Sequence, residues 1–192
     1  EKPSFTGQKH QQCSTRYGLD GLVGIWEYEG IVREALFRIK YWSNFDAIPE
    51  FIEKAFWAMR KDMPRFEDFL SFLFSENVYI TYVPIFIKKK KRRGFNQSER
   101  IAQSLGKISG KETVDFLEKI KDTVSQTNLD REERIENVKN SFRILPNLSF
   151  IPKKIVLVDD VWTTGSTMKE CAKILKIVGV EKIWGFTPFR TV

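Results

Sequence analysis

Two adjacent carboxylates, Asp159 and Asp160, end an apolar run in the stretch VLVDDVWTTGST (156–167) and are followed by Thr163, Thr164, Gly165, Ser166 and Thr167. Neighbouring carboxylates repel, so an apolar core would not keep both. At the end of a strand they can accept hydrogen bonds from the vicinal hydroxyls of a ribose, or hold water around Mg2+. The residues after them suit a different part of the same ligand. Four hydroxyls can donate, Gly165 lets a ligand approach the backbone closely, and N–H groups opening a helix favour an anion through the helix dipole. Acid pair and loop together have the chemistry of a pocket for a phosphorylated sugar.

A simpler use of the same residues is helix capping, at which Asp and Thr are good. The coincidence of acid pair, hydroxyls, glycine and strand-to-helix context favours the pocket. A Walker A loop is excluded, because it needs G-x-x-x-x-G-K-[ST] and this stretch has one glycine with no lysine beside it. A phosphoaspartate receiver domain also begins with a strand ending in two acids, but too little chain follows Asp160 for the rest of that fold.

Three further groups of residues carry candidate chemistry. The run KKKKRRGFNQ places six cations, Lys88 to Arg93, before Gly94, Phe95, Asn96 and Gln97. Read blandly it is a solvated loop; with a turn, an aromatic face and two amides it also suits pyrophosphate or single-stranded nucleic acid. Phe95 serves equally well as a core anchor for that loop. In 126–142, Arg131, Arg134 and Asn137 recur at three-residue intervals, so a helix lines them along one side, either as a cationic flap or as a surface helix pinned by Val138 and Phe142. Near the start, His10 and Cys13 have the spacing of half a zinc knuckle, although two ligands do not make a site. Cys171 falls on the apolar face of its helix and is most simply a packed thiol.

These residues need a scaffold, and the pattern of apolar positions supplies one. Residues 22–29 read as a strand ending at Gly30, with a helix after it on Val32, Leu36 and Ile39. Residues 46–74 read as two helices separated by Pro64, a residue suited to a first helical turn. NVYITYVPIF (77–86) is a strand ending near Pro84, and SERIAQSLGK a helix with Ser98 as candidate N-cap and Gly106 near its end. A strand is expected around 113–120, then a charged stretch, 123–147, that is a functional flap or a partly helical excursion. KKIVLVDD has the continuous apolar run of a strand covered on both faces. Met168, Cys171, Ala172, Leu175 and Val178 trace a helix face ended by Gly179, and EKIWGFT is the next strand. Alternating strands and helices predict a doubly wound α/β sheet, whose ligands sit beyond the carboxyl ends of the strands, where Asp159 and Asp160 lie.

The chain has 192 residues, 42% hydrophobic and 30% charged, with two cysteines and a formal charge of +7. That length allows one main core with a small appendage. No unbroken apolar segment suffices for a membrane span, and the polar start EKPSFTGQKHQQ lacks the apolar core of a secretory signal. Two distant cysteines exclude a disulfide framework and fit a reducing cytoplasm, and the basic charge favours anionic partners such as nucleotides or nucleic acid.

The stretch around the acid pair resembles the 5-phosphoribosyl pyrophosphate (PRPP) motif of type I phosphoribosyltransferases. RGFNQSERIA (93–102), QTNLDREERIENVKNSF (126–142) and YEGIVREALFRIKY (28–41) are in turn similar to segments of the ComF family of competence proteins. The resemblance implies an α/β fold of type I phosphoribosyltransferase kind, an open, mainly parallel sheet with flanking helices, over 21–192. The N-terminal segment 1–20 is then a remnant of a zinc ribbon. His10 and Cys13 would complete a Zn2+ site only with a Cys-x-x-Cys from residues before Glu1; as the chain stands, an unmetallated tail is the simpler expectation. The resemblance further implies a pocket for PRPP or a nucleotide with Mg2+, built from Asp159, Asp160, Thr163, Thr164, Gly165, Ser166 and Thr167, with Arg93 on the pyrophosphate. Lys90, Lys91, Arg92, Gln126, Arg131, Arg134 and Asn137 become flap or DNA-binding residues. The expected role is uptake and handling of single-stranded DNA in natural transformation. The setting is the cytoplasm or the inner face of the membrane, beside a competence helicase and a membrane DNA channel, without membership of the membrane itself. Whether phosphoribosyl transfer occurs stays open, and a nucleotide-salvage phosphoribosyltransferase is the alternative.

Overall fold

Strand β5, Lys154–Val158, is apolar on both sides, and Ile155, Val156, Leu157 and Val158 are each 0% exposed. Such a strand survives only with packing on both faces, and it fixes the architecture. The computed structural model describes residues 17–27, 47–123, 130–146 and 148–191. In chain order the elements are β1 (Gly21–Glu27), α1 (Ala47–Lys61), α2 (Met63–Phe74), β2 (Val78–Tyr82), α3 (Ile87–Arg93), α4 (Gln97–Ser109) and β3 (Leu117–Lys119). They continue with α5 (Arg131–Val138), β4 (Phe142–Ile144), β5, β6 (Val161–Trp162), α6 (Ser166–Ile177) and β7 (Lys182–Arg190).

The main sheet runs β1-β7-β5-β2, with the short β6 also on β7, and every pairing in it is parallel. Alternate side chains of the strands feed two cores. Val156, Val158, Trp184 and Phe186 face Phe56, Phe69 and Leu73 of the α1–α2 pair and Ile101 and Leu105 of α4. Ile155, Leu157 and Ile183 face Met168, Cys171, Ala172 and Leu175 of α6 together with Phe116, Val138 and Phe142. This is the expected α/β sheet with helices on both sides. Among the described residues no helix is long and apolar enough to cross a membrane.

The strand expected around 113–120 is β3, which pairs antiparallel with β4 as a ribbon apart from the main sheet; an isolated bridge of Thr113 to Ile80 links this stretch to β2. Several other local expectations change. The basic run is helix α3 rather than a loop, as Lys and Arg are good helix formers and cations suit its C-terminal end. Asn96, not Ser98, caps α4, and Gly110, one turn beyond Gly106, is its left-handed C-cap. The amphipathic face of α6 stops at Leu175: Val178 is 37% exposed, and Val180 turns inward instead. Pro64 opens α2 as expected. The helix expected on Val32, Leu36 and Ile39 lies outside the described residues.

Candidate functional site

The ladder of β5 runs one residue past the strand, where Asp159 N–H donates to Phe186 O at 3.0 Å. Both acids therefore emerge at the carboxyl end of the sheet. Asp159 Oδ1 accepts from its neighbour's Asp160 N–H and from Ser98 Oγ, each at 2.9 Å, and Asp160 Oδ1 accepts from Val161 N–H at 2.9 Å. Thr187 Oγ lies 3.1 Å from Asp160 O and 2.8 Å from Phe189 O, fixing the peptide beneath the pair.

After β6 the chain turns through Thr163 and Thr164 into Gly165, which caps α6 with φ +70° and no side-chain capping bond. The first intrahelical bond runs from Lys169 N–H to Gly165 O, so the amides of Ser166, Thr167 and Met168 precede the helical ladder and carry its positive end. Thr164 Oγ lies 3.0 Å from Ser166 Oγ, which turns two hydroxyls toward one another at the mouth. Gly165 is required twice over. A left-handed φ disfavours any side chain, and an added Cβ would lie 2.2 Å from Cη2 of Trp162, whose ring fills the space under the turn. The ammonium of Lys169 sits 5.6 Å from the centroid of that ring.

The second loop, between β2 and α4, is tied to the first. Asn96 donates from Nδ2 to Val83 O at 2.9 Å and accepts from Ser98 N–H at 3.1 Å, so its amide is spent on architecture. Phe95 is 6% exposed within the α1, α2 and α4 core: it is the anchor, not an open stacking face. Gln97 is 3% exposed, and its Nε2 has no hydrogen-bond acceptor among the described residues. Ser98 was expected only as a cap, and its real work is the bond across to Asp159. That link joins helix and strand ends sixty-one residues apart in sequence, and no local pattern announces it.

Along α3 the cations divide by partner. Lys90 pairs with Glu99 at 2.7 Å, and Lys89 with Asp122 at 3.4 Å. Lys88, Lys91, Arg92 and the half-buried Arg93 have no ion pair or hydrogen bond among the described residues. The helix ends at Gly94, left-handed at φ 82°, whose N–H closes on Lys90 O. One functional candidate escaped the sequence altogether. Lys119, on β3, donates to Thr123 Oγ at 2.7 Å and lies 5.3 Å from the Phe142 ring of the paired strand. Burial holds its ammonium below the ordinary lysine range, and repulsion from Lys89 adds to this; Cys171, Asp159 and Asp122 act the other way. The Cys171 thiol is pushed well above its ordinary range by burial, then by Asp159, consistent with a packed, inert group.

Helix α5 opens with a complete capping box, Asp130 and Glu133 each bonding the other's backbone N–H at 2.8 Å. Arg134 and Asn137 are half-buried along it, and Arg131 is its first residue. Val138 and Phe142 are buried at 2% and 4% and pin the C-terminal end of α5, which packs against α6. Gln126, His10 and Cys13 lie outside the described residues. Among the described residues no cluster of three His, Cys, Asp or Glu could hold a metal. Two carboxylates are nevertheless what Mg2+ commonly takes from a protein when phosphates of the substrate complete its shell, so the acid pair fits a metal that arrives with its ligand.

Comparison with known proteins bears on this geometry. The model of the phosphoribosyl transferase domain matches residues 82–189, more than half of the chain, with both loops inside the match. Competence protein F of Haemophilus influenzae is 36% identical over 107 residues, 54% of this chain and 47% of that protein. Competence protein ComFC of Streptococcus pneumoniae is 34% identical over 116 residues, 56% of this chain and 46% of that protein. The DNA utilization protein YhgH of Escherichia coli (strain K12) is 36% identical over 114 residues, 59% and 49% of the two chains. The chain spans about half the length of the curated relatives it matches. With the parallel sheet, the acid pair at its carboxyl edge and the threonine loop after it, the match places this chain in the phosphoribosyl transferase domain family, as a ComF-type member.

Proposed function

We propose that the pocket between the two loops binds PRPP or a nucleotide, within a cytoplasmic protein that handles single-stranded DNA during natural transformation. The observation that carries the pocket is the Ser98 to Asp159 bond. It fixes the acid pair against the start of α4 while the threonine loop leaves the same strand end. The carboxylates of Asp159 and Asp160 would take the ribose hydroxyls, and the amides and hydroxyls of Thr163 to Thr167 the 5′-phosphate. Mg2+, when bound with the ligand, would supply charge neutralisation between its phosphates and the acid pair.

Calorimetric titration of PRPP with Mg2+ tests this, beside an Asp159→Asn, Asp160→Asn double variant whose folding is checked by circular dichroism. Saturable binding in the parent, lost in the folded variant, is the expected result; a folded parent that does not bind sinks the pocket. Pyrophosphate release from PRPP with a purine or pyrimidine base would move the chain to the salvage alternative.

Helix α3 supports the nucleic-acid half of the proposal, because Lys88, Lys91, Arg92 and Arg93 have no acceptor among the described residues. If those four neutralise phosphates of a single strand, log K falls against log salt with a slope of about −3. Replacing all four by Gln abolishes most of that slope. Salt-independent binding, or none, would remove DNA from this surface. The names Competence protein F and DNA utilization protein, borne by relatives, agree with a DNA-related role.

A further inference from the structure

Trp57, on α1, is 56% exposed, uncommon for a tryptophan, and the guanidinium of Arg60 lies 5.8 Å from the centroid of its ring. Pro49, Glu53, Trp57 and Arg60 follow one another at i, i+4, i+8 and i+11, so they run along one side of α1. Arg100, Ser104 and Lys107 form a matching row on α4. Between the rows lies an open groove of about 720 Å3, lined chiefly by Pro49 and Glu53 from α1 and by Arg100, Gln103, Ser104 and Lys107 from α4. The same helices meet the sheet through other residues, Ile52 and Phe56, Ile101 and Leu105, so the groove opens to solvent.

Its charge is unbalanced. The side chains of Arg60, Arg100 and Lys107 have no ion pair or hydrogen bond among the described residues, and Glu53 is the one acid in the lining. Cations without partners, beside an exposed indole, suit a single strand: the charges meet its phosphates and the ring meets its bases. A duplex or an acidic peptide would engage the cations and leave the ring idle. Position agrees with this occupant, because the 2.7 Å ion pair of Lys90 with Glu99 ties α3 to the start of α4, next to Arg100, and the groove cations thus continue those of α3. From these observations we infer that the groove between α1 and α4 is a second contact surface for single-stranded DNA, with a base stacked on Trp57 and flanking phosphates on Arg60, Arg100 and Lys107. The inference rests on the single-strand reading of α3 and extends it: α3 offers charge alone, whereas the groove also grips a base.

Fluorescence anisotropy with a labelled oligothymidylate of about twenty nucleotides, and with an abasic strand of the same length, separates this inference from the reading beneath it. Trp57→Leu keeps an apolar side chain and should weaken oligothymidylate about fivefold or more, leaving the abasic strand within about twofold. Trp57→Tyr restores a ring and should recover most of that loss, which a merely structural role for the indole would not give. In the variant with Lys88, Lys91, Arg92 and Arg93 all changed to Gln, the three groove cations should keep a slope of log K on log salt of about −2; adding Arg100→Gln and Lys107→Gln should reduce it to about −0.7. Equal affinity of the parent and Trp57→Leu for oligothymidylate, or an equal loss on both strands, overturns the groove and leaves DNA on α3. No binding of either strand by the parent overturns the reading of α3 along with it.

Discussion

Replacing Gly165 by Ala tests the geometry of the threonine loop without touching a polar group. At φ +70° a side chain costs about 1–2 kcal/mol in backbone conformation. The new Cβ would also stand 2.2, 2.3 and 2.7 Å from Cη2, Cζ2 and Cζ3 of Trp162, all on the outer rim of the indole. Trp162 is 8% exposed in the α6-side core and cannot swing out freely, so overpacking adds about 1–3 kcal/mol. The sum, about 2–5 kcal/mol, is a large part of the stability of an ordinary domain. Phe at 162 lacks those rim atoms. In the Trp162→Phe background the same Gly165→Ala change should therefore cost only the backbone part, giving a coupling of about 1–3 kcal/mol in a double-mutant cycle measured by urea unfolding. Additive costs, within about 0.5 kcal/mol, would refute the contact between ring and turn.

Further outcomes follow from the same structure. Phe95→Ala should cost about 3–5 kcal/mol as a buried aromatic, whereas Phe95→Leu should leave single-stranded DNA affinity unchanged in a filter-binding assay. A fall in affinity with the fold intact would return Phe95 to a stacking role. Lys119 has a folded pKa below the 10.5 of a free lysine, so its charged form is disfavoured by folding. Its contribution to stability is present above 10.5 and lost as pH falls through the lowered value, so unfolding free energy should gain a rising component on the alkaline side. The parent minus Lys119→Met difference isolates that component from other alkaline titrations, and a flat difference would contradict the burial of the ammonium.

The acid pair and its loop were legible because they are contiguous: strand, acids, hydroxyls and glycine each obey a local rule within one dozen residues. The covered strand β5 and the carboxyl-edge position followed from the same continuity. Ser98 shows where local rules end. Its place at the start of a helix suggests a cap, but Asn96 takes that role because its amide also reaches Val83 O, which frees the Ser98 hydroxyl for Asp159. Lys119 was hidden for a related reason. In EKIKD four of the five residues are charged, and only the pairing of β3 with β4 decides which lysine lies against Phe142. Phe95 was ambiguous between core and ligand, since an aromatic serves both, and packing settled it. The six cations of α3 read as a loop because a run of like charge suggests solvation, and the helix propensity of Lys and Arg, with Gly94 to close the last turn, outweighs their repulsion.

The most direct test of the pocket is a crystal structure of the chain with ribose 5-phosphate. The phosphate is predicted within hydrogen-bond distance of amides in Thr163 to Thr167, at the start of α6, with the ribose hydroxyls on Asp159 and Asp160. Phosphate density confined to α3 or elsewhere, with an empty threonine loop, would contradict the assignment of this site.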